Sequence, residues 1–335
     1  MAALLPPGSD TPWAVAAGSC LAAAGLLAYL AGRGNRTGAV LALYFALGLL
    51  CGCGGAVLPQ PERGGWPPAE RALAALLRRI DALDFPHAST AALLKALLAG
   101  QRDGIDPATV QAFRDAGASH ILALSGLHLG ILYGLLQRLL GFLGRSPAAR
   151  IVRSAAVIGA AAFYLVMTGA SPSLVRAFLF ILLYEISRLL PGRRVRAQNV
   201  FCAALTVQLA LAPGVVRSLG FQLSYLAMLG ILLLYPRLDA WYPKGKRWDP
   251  VRRIWSAVAL TLSCQAFTAP LVWIRFHSFP ENFLLTNLAA LPLTEGFLVC
   301  ALPALAGIWP AGTKKLADLL GQSLITLIRV LAERP

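Results

Sequence analysis

Long apolar runs separated by polar links recur along the whole chain. A transmembrane helix needs about 20 mostly apolar residues, and nine runs approach or exceed that length. They fall at about 14–31, 38–58, 119–143, 154–170, 173–190, 199–213, 218–235, 254–274 and 283–308. The run at 199–213 is short, and several others contain Pro or Gly. The pattern predicts an all-α polytopic membrane protein with about nine transmembrane helices.

Positive residues are concentrated in alternate links between these runs. The links after the first, third, fifth, seventh and ninth runs are rich in Arg and Lys. The intervening short links hold no Arg or Lys, or a single Arg. Cytoplasmic links of membrane proteins carry such an excess of positive residues. The alternation predicts an N-terminus outside and a cytoplasmic C-terminus.

The link 59–118 is much longer than the others and carries equal numbers of basic and acidic residues. Apolar residues recur in it at a spacing of three to four over 68–83, which predicts an amphipathic helix on the membrane surface or on the bundle. Shorter helices are predicted at 90–98 and from Asp106-Pro107 onward. We expect these helices to form an outer-face collar, and 315–332 to form an amphipathic helix on the inner face.

These features divide the chain into four parts. They are a two-span hairpin at 1–58, the collar at 59–118, a transmembrane domain at 119–310 and an inner-face tail at 311–335. No Lys or Arg precedes the first apolar run, so a cleavable signal is not expected.

The composition agrees with a membrane protein and excludes several functions. Of the 335 residues, 57% are hydrophobic and 13% are charged, against about 25% charged in soluble domains. The net charge of +15 would by itself suggest nucleic acid as a partner, but the orientation of the helices explains much of it. The six cysteines lie in apolar runs without metal-ligand spacing, and no Walker loop or H-E-x-x-H occurs. We therefore expect no catalytic residue, metal or cofactor.

The polar residues of the stretch 113–137 are its most informative feature. Ile121–Leu136 has the apolarity and length of one membrane helix, yet it contains Ser125, Gly126 and His128, with His120 at its entrance. A polar group in hydrocarbon costs a few kcal/mol unless it finds a partner or water. These residues are therefore expected to lie inside a bundle or a pore.

Ser125 and His128 are three residues apart and would share one face of a helix. A hydrolytic Ser–His dyad is disfavoured, because two side chains that point the same way from one helix rarely reach each other in attack geometry. A polar contact between helices, a pore lining and a hinge remain open. Gly126 would let another backbone approach closely.

Further polar residues interrupt the later runs. Arg176 lies about one turn inside its run, where it could either extend to the outer interface or meet a phosphate or an acidic partner at the outer mouth. Gln222 and Ser224 interrupt the seventh run. The side chains of Gln208, Gln265, Asn287 and Glu295 add further polar groups to the sixth, eighth and ninth runs. Together they predict a hydrated interior.

These motifs resemble the ComEC-type competence proteins over about 70–310. The strongest part is FRDAGASHILALSGLHL at 113–129, which places Gly117, His120, Ser125, Gly126 and His128 on the family motif. Supporting motifs follow in order at 98–105, 168–180, 218–232, 265–273 and 286–293. Many members also carry an OB-type domain and a metallo-β-lactamase-like nuclease domain. This sequence has no counterpart of either, so no nuclease activity is expected.

The resemblance implies an inner-membrane channel component that passes single-stranded DNA into the cytoplasm during natural transformation. Its candidate DNA-path residues are His120, Ser125, Gly126, His128, Arg176, Gln222, Ser224 and Asn287. Single-stranded DNA and membrane lipid are the expected partners, with a DNA receptor and a helicase or ATPase on separate chains. A nuclease partner and a homo-oligomer remain open. The alternatives are a transporter of a small anionic solute and a non-conducting structural membrane subunit.

Overall fold

The computed structural model describes residues 66–144, 146–189, 196–242, 249–277 and 282–333. The predicted spans at 14–31 and 38–58 lie outside these residues. Within the described ranges the chain is helical and contains no strand. The fold class predicted from the hydrophobic pattern, an all-α polytopic membrane protein, is confirmed.

Thirteen α-helices occur in the described ranges. They are α1 (Pro67–Asp81), α2 (Ala88–Ala99), α3 (Pro107–Asp115), α4 (Ser119–Leu122), α5 (Gly126–Leu139), α6 (Pro147–Met167), α7 (Pro172–Leu189), α8 (Ala197–Leu211), α9 (Leu219–Leu233), α10 (Tyr235–Asp239), α11 (Pro250–Phe276), α12 (Phe283–Leu305) and α13 (Pro310–Ala332). Two 3₁₀ turns, Leu140–Leu143 and Pro213–Arg217, follow α5 and α8. Residues 196–222 belong to a compact unit distinct from the one that contains the other described residues.

Four of these helices are long and apolar enough to cross a membrane. They are α5 with its 3₁₀ extension, α6, α11 and α12. Helix α7 has 18 residues but carries three charged ones, Arg176, Glu185 and Arg188. Helices α8 and α9 have 15 residues each. All seven spans predicted within the described residues are thus helical, although the span at 119–143 is divided into α4 and α5. Four of the helices have the length and composition of a full crossing.

The predicted helix over Ile121–Leu136 is wrong in one respect, because the structure breaks it. Helix α4 ends at Leu122, Ala123 and Ser125 are extended, and α5 begins at Gly126. The Ser125 hydroxyl accepts a hydrogen bond from the Leu127 N–H, at 3.3 Å. A serine in this position caps a helix rather than continuing it, so the polar residues of the motif start a second helix.

The largest hydrophobic core joins the collar helices to the last two helices of the chain. Its largest fully buried side chains include Phe113 and Phe297. Helices α12 and α13 form an antiparallel hairpin, since the Asn282 side chain at the start of α12 donates to the Leu331 carbonyl near the end of α13. Helices α1–α4 and the links between them contribute the remaining buried residues of this core.

The prediction that the collar and the tail occupy opposite faces of the membrane is wrong. Arg79 of α1 donates to the Leu305 carbonyl at 2.9 Å. Asp318 of α13 accepts the Thr90 hydroxyl of α2 at 2.6 Å. Groups in hydrogen-bond contact cannot be separated by a bilayer about 30 Å thick. The apolar stripe of 315–332 instead packs in the shared core.

Asp318 contacts two side chains at the start of a helix that is more than two hundred residues away in sequence. Helix α2 has no side-chain cap of its own at His87. Asp318 accepts from the Thr90 hydroxyl and lies 2.9 Å from His87 Nδ1. Burial alone would raise the pKa of Asp318, but hydrogen bonds from Thr90 and His87 hold this pKa below its usual value. The ionised carboxylate therefore stabilises the junction of α2 and α13.

Replacing Asp318 by Asn is expected to lower the free energy of unfolding by about 1–3 kcal/mol, because two charge-assisted hydrogen bonds become neutral or are lost. Because the pKa of Asp318 is lowered in the folded protein, its stabilising effect is present at neutral pH. That effect disappears as the pH falls below about 4. Thermal unfolding of the purified protein in detergent measures both effects.

Asp81→Asn is the matched control, since Asp81 is exposed and its ion pair with Lys95 contributes at most about 1 kcal/mol. Equal unfolding temperatures for the two variants would contradict the stabilising role of Asp318 at the junction of α2 and α13.

Helix α9 crosses α11 at a point where only glycine fits. A Cβ added at Gly230 would lie 2.1 Å from the Ser263 carbonyl oxygen of α11. That oxygen belongs to a backbone, which cannot move aside as a side chain can. Ser263 itself is fully buried.

Gly230→Ala is expected to destabilise the protein by about 3 kcal/mol or more, because the two backbones must separate. Gly220→Ala on the same helix is the control, because a Cβ there meets nothing within 4 Å. Its gain in helix propensity should leave the free energy of unfolding equal or slightly higher. Thermal unfolding of the two variants gives the comparison, and a Gly230→Ala protein as stable as the parent would contradict the close crossing.

Candidate functional site

The break between α4 and α5 is held by a reciprocal contact between Ser125 and His128. The Ser125 backbone N–H donates to His128 Nδ1 at 3.0 Å, and Ser125 Oγ lies 3.3 Å from the same nitrogen. The two side chains do meet, contrary to the sequence expectation, because Ser125 lies before the helix and not on it. This arrangement is a capping box, and it supplies partners for backbone groups that the break leaves unpaired.

The capping box determines which nitrogen of His128 carries the proton. Nδ1 accepts a hydrogen bond from a backbone N–H, so the proton of the neutral ring is on Nε2. His128 is 1% exposed, and its Nε2 has no hydrogen-bond partner among the described residues. His128 therefore presents a buried N–H donor that the protein itself leaves unused.

One face of α5 packs against α7, and His128 is not on it. A Cβ at Gly126 would lie 3.2 Å from the Ala177 Cβ of α7. Tyr133 and Gln137, which follow Gly126 at about two and three turns, donate to Glu185 of the same helix. His128 is two residues after Gly126, or about 200° around the helix. Its side chain therefore starts from the opposite face.

Arg176 is a buried cation in α7. It is 7% exposed, so its guanidinium does not extend to the protein surface. The guanidinium carbon lies 5.4 Å from the centre of the Tyr225 ring, a cation–π contact. Nη1 is enclosed without a hydrogen-bond partner, and Arg176 forms no ion pair with any described acidic residue. The burial does not support the interpretation that Arg176 extends to the membrane interface.

The other predicted site residues are more dispersed. His120 is exposed on α4, with Nδ1 3.2 Å from the Gly117 carbonyl oxygen. The Gln222 side chain donates to the nearby Val216 carbonyl at 2.8 Å, and Ser224 is half-buried on the same helix α9. Asn287 is half-buried near the start of α12, and its Oδ1 is enclosed without a partner among the described residues.

The predicted hydrated interior is only partly matched by these placements. Glu295, which was expected to face the interior, is exposed on α12. Gln208 is 3% exposed on α8. The structure brings Ser125 and His128 together and leaves His128 and Arg176 on different sides of α5.

The sequence interpretation missed Glu185, which is the centre of the most complete polar network in the described chain. This carboxylate is fully buried in α7. It accepts from Tyr133, Gln137 and Arg188 through Oε1 and from Ser154 of α6 through Oε2, at 2.6–3.1 Å. The sequence did contain an indication of this network. Glu185 is an acid within one apolar run, and Tyr133 and Gln137 lie four residues apart in another apolar run. The network ties α5, α6 and α7 together.

The described part of the chain offers hydrogen-bonding and cationic groups, not metal ligands. His, Cys, Asp and Glu side chains form no group of three within the described ranges that could hold a metal ion. That no cofactor is required stays a prediction.

A broken transmembrane helix, a buried cation and unused buried donors define a polytopic helical membrane protein with a polar interior. The chain belongs to the Competence protein family, whose model matches residues 97–334. This membership confirms the resemblance found in the motifs.

Two curated relatives are similar in sequence to part of this chain. ComE operon protein 3 of Bacillus subtilis (strain 168) is 28% identical over 220 residues, which are 64% of this chain and 26% of that protein. The uncharacterized protein YcaI of Escherichia coli (strain K12) is 26% identical over 211 residues, which are 60% of this chain and 27% of that protein. The matched region thus spans about a quarter of the length of each relative. No solved structure matches the chain.

Glu185→Gln is expected to lower the free energy of unfolding by roughly 2–4 kcal/mol, because the amide NH₂ of the new side chain must face a donor in a network that is otherwise fully paired. Thermal unfolding in detergent measures the effect. Glu70→Gln, at an exposed position of α1, is the control and should change little. A Glu185→Gln protein as stable as this control would show that the network contributes nothing to the packing of α5, α6 and α7.

Proposed function

We propose that this chain acts in DNA uptake during competence, as an inner-membrane component that passes single-stranded DNA into the cytoplasm. Membership of the Competence protein family supports the general role. The observation that carries the more specific role is Arg176, a buried cation without an acidic partner among the described residues. A buried unpaired charge is costly, so the presence of this cation favours an anionic ligand.

The surroundings of Arg176 suit a nucleic-acid strand. A guanidinium binds phosphate oxygens through paired N–H donors, and the nearby Tyr225 ring is of the type on which bases stack. A strand carries one negative charge per nucleotide, and a conduit needs binding that is weak enough to release each phosphate. A single cation meets that need better than a cluster of them.

The other candidate residues have separate parts in this proposal. His120 is exposed before the break and would meet the strand at the entrance. Ser125 and Gly126 set the start of α5, while Ser224 and Asn287 would supply neutral polar groups along the path.

The proposed role requires further proteins. The sequence has no Walker loop, so a separate helicase or ATPase would drive inward movement and a separate receptor would deliver DNA. A nuclease partner and a homo-oligomer are compatible with the proposal. We assign the chain itself no enzymatic activity.

A transporter of a small anionic solute is the second candidate, because the same unpaired Arg176 would also bind such an anion. Saturable uptake of a small anion into vesicles that contain the protein would support this candidate. Crosslinking of single-stranded DNA to positions along α5 and α7 would support passage of DNA. A purely structural subunit would show neither.

Arg176→Gln is expected to reduce transformation by purified DNA by at least about tenfold, since the loss of one phosphate contact of 1.4 kcal/mol or more at a required step corresponds to that factor. Arg176→Lys keeps the charge without the paired donors and should retain part of the activity. The measurement is transformation frequency at matched protein abundance in the membrane.

Arg138→Gln, at an exposed position of α5, is the control and should transform normally. If Arg176→Gln also transforms normally at full abundance, Arg176 does not contact the strand. If deletion of the whole gene leaves transformation unchanged, the role in DNA uptake itself is lost.

A further inference from the structure

Three enclosed polar atoms lie close to the starts of two helices, and none has a partner among the described residues. They are His128 Nε2 near the start of α5, and Thr286 Oγ1 and Asn287 Oδ1 near the start of α12. His128 is 1% exposed and Thr286 is 0% exposed. Buried polar atoms without a partner are rare in folded proteins, and each requires an explanation.

The starts of α5 and α12 both border the largest hydrophobic core. Ile131, one turn after His128, and Ala290, one turn after Thr286, both contact this core. Leu122, just before the break, contacts it as well, together with Leu331 near the end of α13. Asn282 then ties the start of α12 to Leu331. The face of α5 that carries His128 points away from α7, and both α6 and α12 are further neighbours of α5.

The three atoms are uncharged, and they include both a hydrogen-bond donor and hydrogen-bond acceptors. His128 Nε2–H is a donor, because the capping box occupies Nδ1. The Thr286 hydroxyl both donates and accepts, and the Asn287 carbonyl oxygen accepts. A phosphate oxygen would satisfy the donor but would be repelled by the acceptor. Water satisfies all of them, and a buried water typically makes about three hydrogen bonds.

We propose that ordered water bridges the starts of α5 and α12 in a pocket formed by His128, Thr286 and Asn287. His128 is then a positioning residue: its Nδ1 holds the break, and its Nε2–H connects α5 to α12 through water. This site is chemically distinct from the cationic site at Arg176, and it does not depend on the proposed passage of DNA.

The proposal is tested by whether one isosteric substitution lowers or raises the melting temperature. Thr286→Val removes the hydroxyl without changing the shape of the side chain. If the hydroxyl binds water, its loss should lower the melting temperature by roughly 2–4 °C. If the hydroxyl is buried dry and unpaired, its removal should leave the melting temperature unchanged or raise it, which would overturn the proposal.

Thr294→Val is the matched control on the same helix. Thr294 is also 0% exposed, but its hydroxyl is already satisfied by the Ala290 carbonyl at 2.7 Å. A bond within one helix is independent of any pocket, so Thr294→Val should show no energetic coupling to changes at His128.

One substitution of His128 separates its two structural roles. His128→Asn places an oxygen near the position of Nδ1, where it can accept from the Ser125 N–H, but lacks the Nε2–H donor. If the water is shared, the double variant with Thr286→Val should lose less stability than the sum of the single variants. Additive losses would place the two side chains in separate environments and overturn the shared pocket.

Radiolytic hydroxyl-radical labelling of the unaltered protein in ¹⁸O-labelled water provides a readout that does not depend on folding of a variant. Ordered internal water should cause oxidation of buried side chains beside the pocket, such as Leu127 and Leu129, with slow exchange of the isotope. Labelling that is absent there, but present at exposed residues such as Phe142, would also overturn the proposal.

Discussion

A polar group that is removed from water must find another partner, and the described interior of this protein follows from how its polar groups meet that demand. At the break between α4 and α5, Ser125 and His128 supply partners to backbone groups that a continuous helix would have paired by itself. In α7, Glu185 receives donors from three helices. The break and the packing of α5 against α7 are therefore two results of the same constraint.

The collar is part of the same arrangement. The Tyr164 hydroxyl of α6 donates to the Leu98 carbonyl at the end of α2, at 2.8 Å. Gly100, which ends α2 with a φ of +75°, is covered so closely by Leu124 that a Cβ there would lie 2.7 Å from the Leu124 side chain. Leu124 immediately precedes Ser125. The start of α5 is thus positioned by the collar as well as by its own capping box, and the collar is in turn fixed to α13 through Asp318.

The fold class and the positions of the seven helical spans within the described residues were predictable, because they depend on apolar runs whose signal is local. The motif residues Ser125 and His128 were also recognisable, since polar groups in an apolar run are conspicuous. The break was not predicted, because Ser125 can either continue a helix or cap one, and the surrounding apolar residues suit both. The contacts of Glu185 and Asp318 depend on helices distant in sequence, and charge alternation wrongly separated Asp318 from the collar.

His128 and Arg176 differ in the kind of partner that each requires. His128 is neutral in its capping geometry, and its free donor lies on the side of α5 that faces away from α7. Arg176 carries a full charge beside the Tyr225 ring, and neutral groups alone compensate a buried charge poorly. Water is sufficient for the first residue, whereas the second calls for an anion. The family motif around His128 therefore contributes to the architecture of the break, and Arg176 is the residue that we propose recognises a charged strand.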